Sequence, residues 1–214
     1  MNSGQLDCVM QLASTYEGMS QELFKLGHQM EEVKLYNPSA RLYSLVRCSE
    51  VSSVELRNLT ARILGDTGKC LYEEVSSALR INVLEEKKWI RITVPAILPN
   101  RNARQNTLFL TRPLRECLIE FQRATPIERF GECAICIVHR YDEALGIRRV
   151  RDYDNIETKR YLDVIEATFL TNDSGRLCTV LQATEMGNRD CTEFYLMHPQ
   201  TLPIWAQEHL KTHT

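Results

Sequence analysis

The hydrophobic period changes once along this chain, near Lys87, and that change sets most of what it can fold into. Before it, Val9, Leu12, Ala13, Tyr16, Met19, Leu23 and Leu26 recur at helical spacing. After it, short runs such as WIRITVPAIL and ECAICIVHRY are rich in β-branched and apolar residues and read as strands. A helical period cannot serve as a strand, because alternate residues would point a strand's apolar set to both faces. The chain is therefore expected to be α+β: a helical region over residues 1–86, a mixed-sheet domain over 87–200, and a helix and tail over 201–214.

Within the first region Asn37-Pro38-Ser39 breaks the helical run, and Ser39 can cap the next helix. That second helix is expected from Ala40 to Glu50. A third is expected from Val54 to Leu79, with Leu56, Leu59, Ile63, Leu71, Val75 and Leu79 as its stripe. Gly65 and Gly68 lie inside it. Such helices make a hairpin or small bundle. Gly65-Asp66-Thr67-Gly68-Lys69 is not a phosphate loop: the four-residue gap, the following Ser or Thr and a preceding strand are all missing.

In the second region the first strand ends at Pro99-Asn100, and TLFLT reads as a short strand or turn. A helix is expected from Arg112 to Arg123, with Pro113 in its first turn. After ECAICIVHRY, RRVRDYD reads as a shorter extended stretch and Asn155 to Phe169 as a helix. Leu177–Thr184 and Glu193–Met197 read as strands separated by the turn-like Met186 to Asp190. A last helix, Leu202 to Leu210, carries Trp205.

Hydrophobic residues make up 43% and charged residues 25%, the composition of a folded chain. No apolar run approaches the length of a membrane span, and the first residues lack a basic segment and an apolar stretch of the secretory kind. A cytoplasmic location is expected. Of the eight cysteines, only Cys133 and Cys136 form a C-x-x-C, with no second close pair to complete a zinc site. Three apart on a strand, they point to opposite faces and read as buried, reduced thiols.

The net charge of −2 hides an asymmetry. Residues 87–160 hold 15 basic and 9 acidic side chains, while the flanking segments 1–86 and 161–214 hold 8 and 12, and 3 and 7. A basic middle third is the footprint expected of a polyanion partner, or simply an Arg-rich solvated surface.

The stretch RVRDYDNIETKRYLDVIEATFLTNDSG carries the most chemistry. Asp152 and Asp154 are two apart at the end of an extended segment, so both are expected on one face. On the following helix Leu162, Ile165 and Phe169 form the buried stripe, with Lys159, Asp163 and Glu166 together on a flank. Asp173 follows in a turn. Gathered carboxylates repel, and a hard cation such as Mg²⁺ offsets that cost and activates water for phosphodiester cleavage. The simpler reading is a helix cap at Asp154 or Asn155 and a surface ion pair between Lys159 and Asp163.

Asp152-Tyr153-Asp154-Asn155, then Lys159, Asp163 and Asn172-Asp173-Ser174, resembles the RusA family of Holliday-junction resolvases. That family's pattern is D-x-D-N-x-x-K, an aspartate, then D-D. Ile92-Thr93-Val94-Pro95 leading to Pro99-Asn100-Arg101-Asn102, and Phe109-Leu110-Thr111-Arg112 leading into a helix, are similar to its earlier elements. The resemblance covers about half of the chain. It implies a Mg²⁺-dependent endonuclease acting as a homodimer on branched DNA. Asp152, Asp154 and Asp173 would be metal ligands, and these three with Lys159 catalytic. Two departures stand out: three residues rather than two separate Asn155 from Lys159, which on a helix turns the side chain by about 100°, and Asn172 replaces one acid of the final pair.

The whole chain also resembles an uncharacterised family of Firmicute genomes and conjugative elements, which implies a role in mobile DNA. Some counter-defence proteins of such elements resemble RusA and act on CRISPR guide-RNA complexes. This implies a second reading, a non-catalytic anti-CRISPR-type protein that binds a guide-RNA effector complex. A third is a helical protein-interaction module built on residues 1–86. For DNA or RNA contact the candidates are Arg101, Arg104 and Arg112, with Arg115, after the first strand, and Arg148, Arg149 and Arg151 just before the acids. His139, at the end of a strand, can approach the acids or serve as a partly buried structural histidine.

Overall fold

The computed structural model describes residues 3–32, 38–64, 75–76, 78–101, 107–171 and 176–210. The chain divides into two compact units, Met1–Leu71 and Tyr72–Thr214.

The first unit contains α1 (Ser3–Glu32) and α2 (Ser39–Leu64), packed on each other. Arg41 on α2 donates to Gln29 of α1 at 2.8 Å. Leu12, Leu26 and Leu59 are buried, but Val9, Tyr16 and Leu23 of the expected α1 stripe stand exposed. α2 runs unbroken through the expected gap between Glu50 and Val54. The serines there do not interrupt it, because Ser53 folds its hydroxyl back onto Ser49 O at 2.8 Å. The expected continuation through Gly65 and Gly68 lies outside the described residues.

The second unit is built on a five-stranded sheet of order β1-β2-β5-β3-β4. Its strands are β1 (Asn82–Glu85), β2 (Ile90–Val94), β3 (Cys133–Asp142), β4 (Cys178–Gly187) and β5 (Cys191–Met197). Only β3 and β4 run parallel, so the sheet is mixed and the protein is α+β. β1 corrects the reading of residues 1–86 as wholly helical. It is an exposed edge strand whose short NVLE run shows little alternation, and a tight turn through Lys87-Lys88 pairs it with β2. There Glu86 N–H donates to Trp89 O at 2.9 Å.

Side-chain alternation then splits β3 between two cores. Cys133, Ile135 and Ile137 pack beneath α3 (Thr107–Ala124) and α4 (Lys159–Phe169), among Leu114, Leu118, Tyr161, Ile165 and Phe169. Ala134, Cys136 and Val138 face Trp89, Tyr195, Met197 and the Trp205 of α5 (Leu202–His209). Cys133 and Cys136 thus lie on opposite faces, both buried and free, and burial pushes each thiol up to about 12.

Two local expectations change. TLFLT is the first turn of α3, not a strand, so Pro113 sits inside that helix. Its Leu110, Leu114 and Leu118 recur at the four-residue spacing of one buried helix face, which outweighs the lost hydrogen bond at the proline. RRVRDYD is only partly extended. Preceded by a 3₁₀ turn at Glu143–Leu145, it enters 3₁₀ turns at Ile147–Arg149 and Tyr153–Asn155, with Val150 and Asp152 extended between them. Gly146 joins the first two at φ +85°, a conformation open to glycine.

β4 and β5 follow each other through Asn188-Arg189-Asp190 but do not pair, because β3 lies between them. Two strand spacings are about 10 Å, within reach of a three-residue connection. Asp190 Oδ1 accepts from Asp142 N–H at 2.9 Å, tying that connection to the end of β3. No described helix is long and apolar enough to cross a membrane.

Candidate nucleic-acid and metal site

The acidic turn sits beyond the C-terminal ends of the parallel pair β3 and β4. Backbone pairing brings the Pro- and Asn-rich loop to it. Asn100 and Ile156 form an antiparallel bridge, Arg101 N–H donates to Asn155 O at 2.9 Å, and Glu157 N–H donates to Pro99 O at 2.9 Å. Two stretches separated by some fifty residues in sequence thus meet, with Arg101 exposed beside Asn155.

Asp152 and Asp154 are both exposed. Asp152 has extended backbone and precedes the turn, while Asp154 lies within it. The two-residue alternation of a strand therefore does not apply to this pair. Neither carboxylate hydrogen-bonds a side chain among the described residues. Tyr153 between them is the anchor. Its hydroxyl accepts from Thr184 Oγ1 at 3.2 Å, and its ring lies 6.0 Å from that of His139.

Asn155 does not begin the long helix. Ile156 is in the bridge, Thr158 is the N-cap residue, and Lys159 is the first residue of α4. The extra residue before Lys159 therefore falls in non-helical chain, and the expected 100° rotation does not arise. Lys159 pairs with Asp163 at 3.0 Å, with side chains 80% and 51% exposed. Glu166 is half-buried and acts on the Cys133 and Cys178 thiols. The buried stripe of α4 is Tyr161, Ile165 and Phe169, with Leu162 half-buried.

Arg148 is exposed on its 3₁₀ turn. Arg149 shares that turn, its side chain outside the described residues. Arg151 is held inward: Nη1 donates to Leu98 O at 2.9 Å and its N–H donates to the Tyr141 hydroxyl at 3.2 Å. It fastens the acidic turn to the loop it meets. Arg112 and Arg115 are exposed on α3. Arg104 and Asp173 lie outside the described residues. Two exposed aspartates offer a hard cation suitable oxygen donors. Among the described residues, no three His, Cys, Asp or Glu side chains come together to hold a metal.

His139 is fully buried at the end of β3, with Nε2 3.3 Å from Gln182 Oε1 and Nδ1 without a partner among the described residues. Burial first, and the nearby Arg151 charge, hold its pKa below the ordinary 6.5, with the Gln182 contact acting in the opposite sense. The imidazole is therefore neutral near pH 7 in the folded state. A depressed pKa stabilises the fold above the unfolded value, and that stability is lost as pH falls through the folded value. Urea unfolding should shift to lower midpoints on going from pH 7.5 to 5.5. His139→Gln should flatten that dependence, and an unchanged slope would contradict it. Sequence reading could not supply Gln182 and Thr184 as neighbours of this group, because they reach it through the β3–β4 register.

The second unit is thus an α+β domain whose mixed sheet presents an acidic turn beside a loop bearing Arg101. The chain belongs to a family of unknown function (DUF6100), matched over residues 6–214. No curated protein matches it. Among solved structures, the periplasmic domain of Helicobacter pylori MotB is similar over 61% of this chain and 90% of its own, at 9% identity and a TM-score of 0.32. A likeness that distant carries no argument.

Proposed function

We propose that this is a RusA-like protein of a mobile genetic element, acting in the cytoplasm as a homodimer on branched or structured nucleic acid. The observation that carries this reading is the Asn100–Ile156 bridge, which sets Arg101 against the Asp152–Asn155 turn. A cation beside an exposed arginine suits a phosphodiester backbone. Asp152 and Asp154, with Asp173, would hold Mg²⁺, which would activate the attacking water. Arg101, Arg112 and Arg148 would hold phosphates.

A binding role without cleavage is the second reading, including capture of a guide-RNA effector complex. Its support is the engagement of Lys159 with Asp163. The test is a four-way DNA junction with Mg²⁺. Cleavage is expected, falling at least a hundredfold in Asp154→Asn, while Arg101→Ala weakens binding of either form. Binding without cleavage in Mg²⁺ and Mn²⁺ would select the second reading, and failure to bind DNA or RNA would remove both.

A further inference from the structure

The α1–α2 hairpin leaves a second apolar seam of α1 uncovered. Leu12, Met19 and Leu26 recur every seven residues and form the inner seam, buried or half-buried. Beside it Val9, Tyr16, Leu23 and Met30 also recur every seven residues, and all four are exposed. Leu6, Ala13, Ser20 and Gly27 run alongside with the same spacing, exposed too. Leu23, Phe24, Ser20 and Gly27 line a shallow groove of about 440 Å³. A seven-residue apolar repeat held over four turns of the pattern is the mark of a helix that pairs with another helix.

The pattern names the other helix. When α1 is laid antiparallel on a copy of itself, Ala13 falls opposite Leu23 of the second copy, Ser20 opposite Tyr16, and Gly27 opposite Val9. Each of these layers places a small residue against a large one, the arrangement that lets facing side chains interdigitate. Leu6 and Met30 close the ends. The same register brings together Met10 and Phe24, the two most exposed large apolar residues of α1, at 63% and 71%. Nothing within 4 Å would meet a Cβ at Gly27, so the hairpin itself does not require glycine there.

The exposed apolar area is of the size that self-pairing needs. If wholly buried, the exposed large apolar residues of α1 would remove at most roughly 700 Å² per copy from water, near the ~800 Å² per partner of a standard interface. Asp7, Glu22, Lys25 and Glu32 fall at positions of the repeat away from this seam. Glu17 meets its own copy near the axis, a like-charge contact that works against the pairing at the exposed edge of the seam, and Glu31 lies in the same row at the rim of the groove.

We infer that α1 is the dimerisation element of this chain, pairing antiparallel with α1 of a second copy through Val9, Tyr16, Leu23 and Met30. This locates the homodimer included in the proposed function and rests on that part of it alone. The test is the molar mass of the full chain by light scattering at micromolar concentration. The expected result is a dimer that Leu23→Glu and, separately, Gly27→Leu each halve to monomer, with unchanged circular dichroism. Mixing Met10→Cys chains with Phe24→Cys chains under mild oxidation should give a covalent pair above the background of the native cysteines and of either variant alone. A native chain that is monomeric would overturn both this inference and the homodimer reading. A dimer that survives both seam variants, or lacks the mixed crosslink, would overturn the inference and leave a homodimer formed elsewhere.

Discussion

Replacing Trp205 by alanine should lower the stability of the sheet domain by about 3–5 kcal/mol, the range for emptying a large aromatic site in a packed core. Trp205 is the one buried residue of α5 and is fully enclosed. It stacks on His209 at 4.9 Å and meets Tyr195 at 5.5 Å. Those contacts hold α5 over the Ala134, Cys136 and Val138 face of β3. Its loss exposes that face and frees the helix with it. The indole N–H has no partner among the described residues, so it adds nothing that a hydrocarbon ring would lose. Trp205→Phe should therefore cost much less, about 1–2 kcal/mol for the smaller volume. Urea unfolding by far-ultraviolet circular dichroism measures both. Equal losses in the two variants would mean that the ring's volume does not dominate.

Arg140→Met should destabilise by about 2–4 kcal/mol, somewhat below the 3–5 kcal/mol of a fully buried broken pair. Arg140 Nη2 lies 3.0 Å from both Glu185 Oε2 on β4 and Glu193 Oε2 on β5. The Glu193 side chain is only 8% exposed, whereas those of Arg140 and Glu185 are 30% and 25% exposed, which is the reason for the discount. The Tyr195 hydroxyl also donates to Glu193 Oε2 at 2.9 Å. Burial first, and the Glu193 charge second, push the Tyr195 phenol above its usual range, so it stays a donor. Removing the cation strands a buried carboxylate with that one hydroxyl. In Arg140→Met/Glu193→Gln the stranded charge is gone and the amide oxygen still accepts from Tyr195, so more than half of the loss should return. A double variant no more stable than the single one would show that the guanidinium acts through packing. Gly187 is part of this arrangement: a Cβ there would stand 2.9 Å from Arg140 Cδ, so glycine lets the arginine stem cross the end of β4.

Much of the fold could be read along the chain, because the features concerned are local. A helix or strand declares itself by the spacing of its own apolar residues. Helical α1, the helical character of α2 though not its continuity past Glu50, the strands β2 to β5 and the opposite faces of Cys133 and Cys136 all follow from that. The failures were also local, where two signals compete. Pro113 suggested a helix start, yet α3 begins at Thr107 and accepts the proline inside. RRVRDYD read as an extended stretch, yet 3₁₀ turns take both of its ends.

The candidate site was legible only as composition. Asp152, Asp154 and the arginines are marked by their residue types. Their spacing predicted a shared face for the two acids and a helical rotation for Lys159, and the Tyr153–Asn155 turn and the Ile156 bridge remove both premises. Tyr153, Thr184, Gln182 and His139 have no linear signal that joins them.

The sequence by itself determined the elements, their faces and the separation of a helical part from a sheet part, since each rests on the period of neighbouring side chains. Tertiary structure alone decided that β5 enters between β2 and β3, that Arg140 is shared by Glu185 and Glu193, and that Pro99–Arg101 meets Asn155–Glu157. These are pairings between distant stretches. They are chosen by which surfaces bury the most apolar area and leave the fewest unpaired polar groups once all elements pack together, and no local spacing encodes that choice.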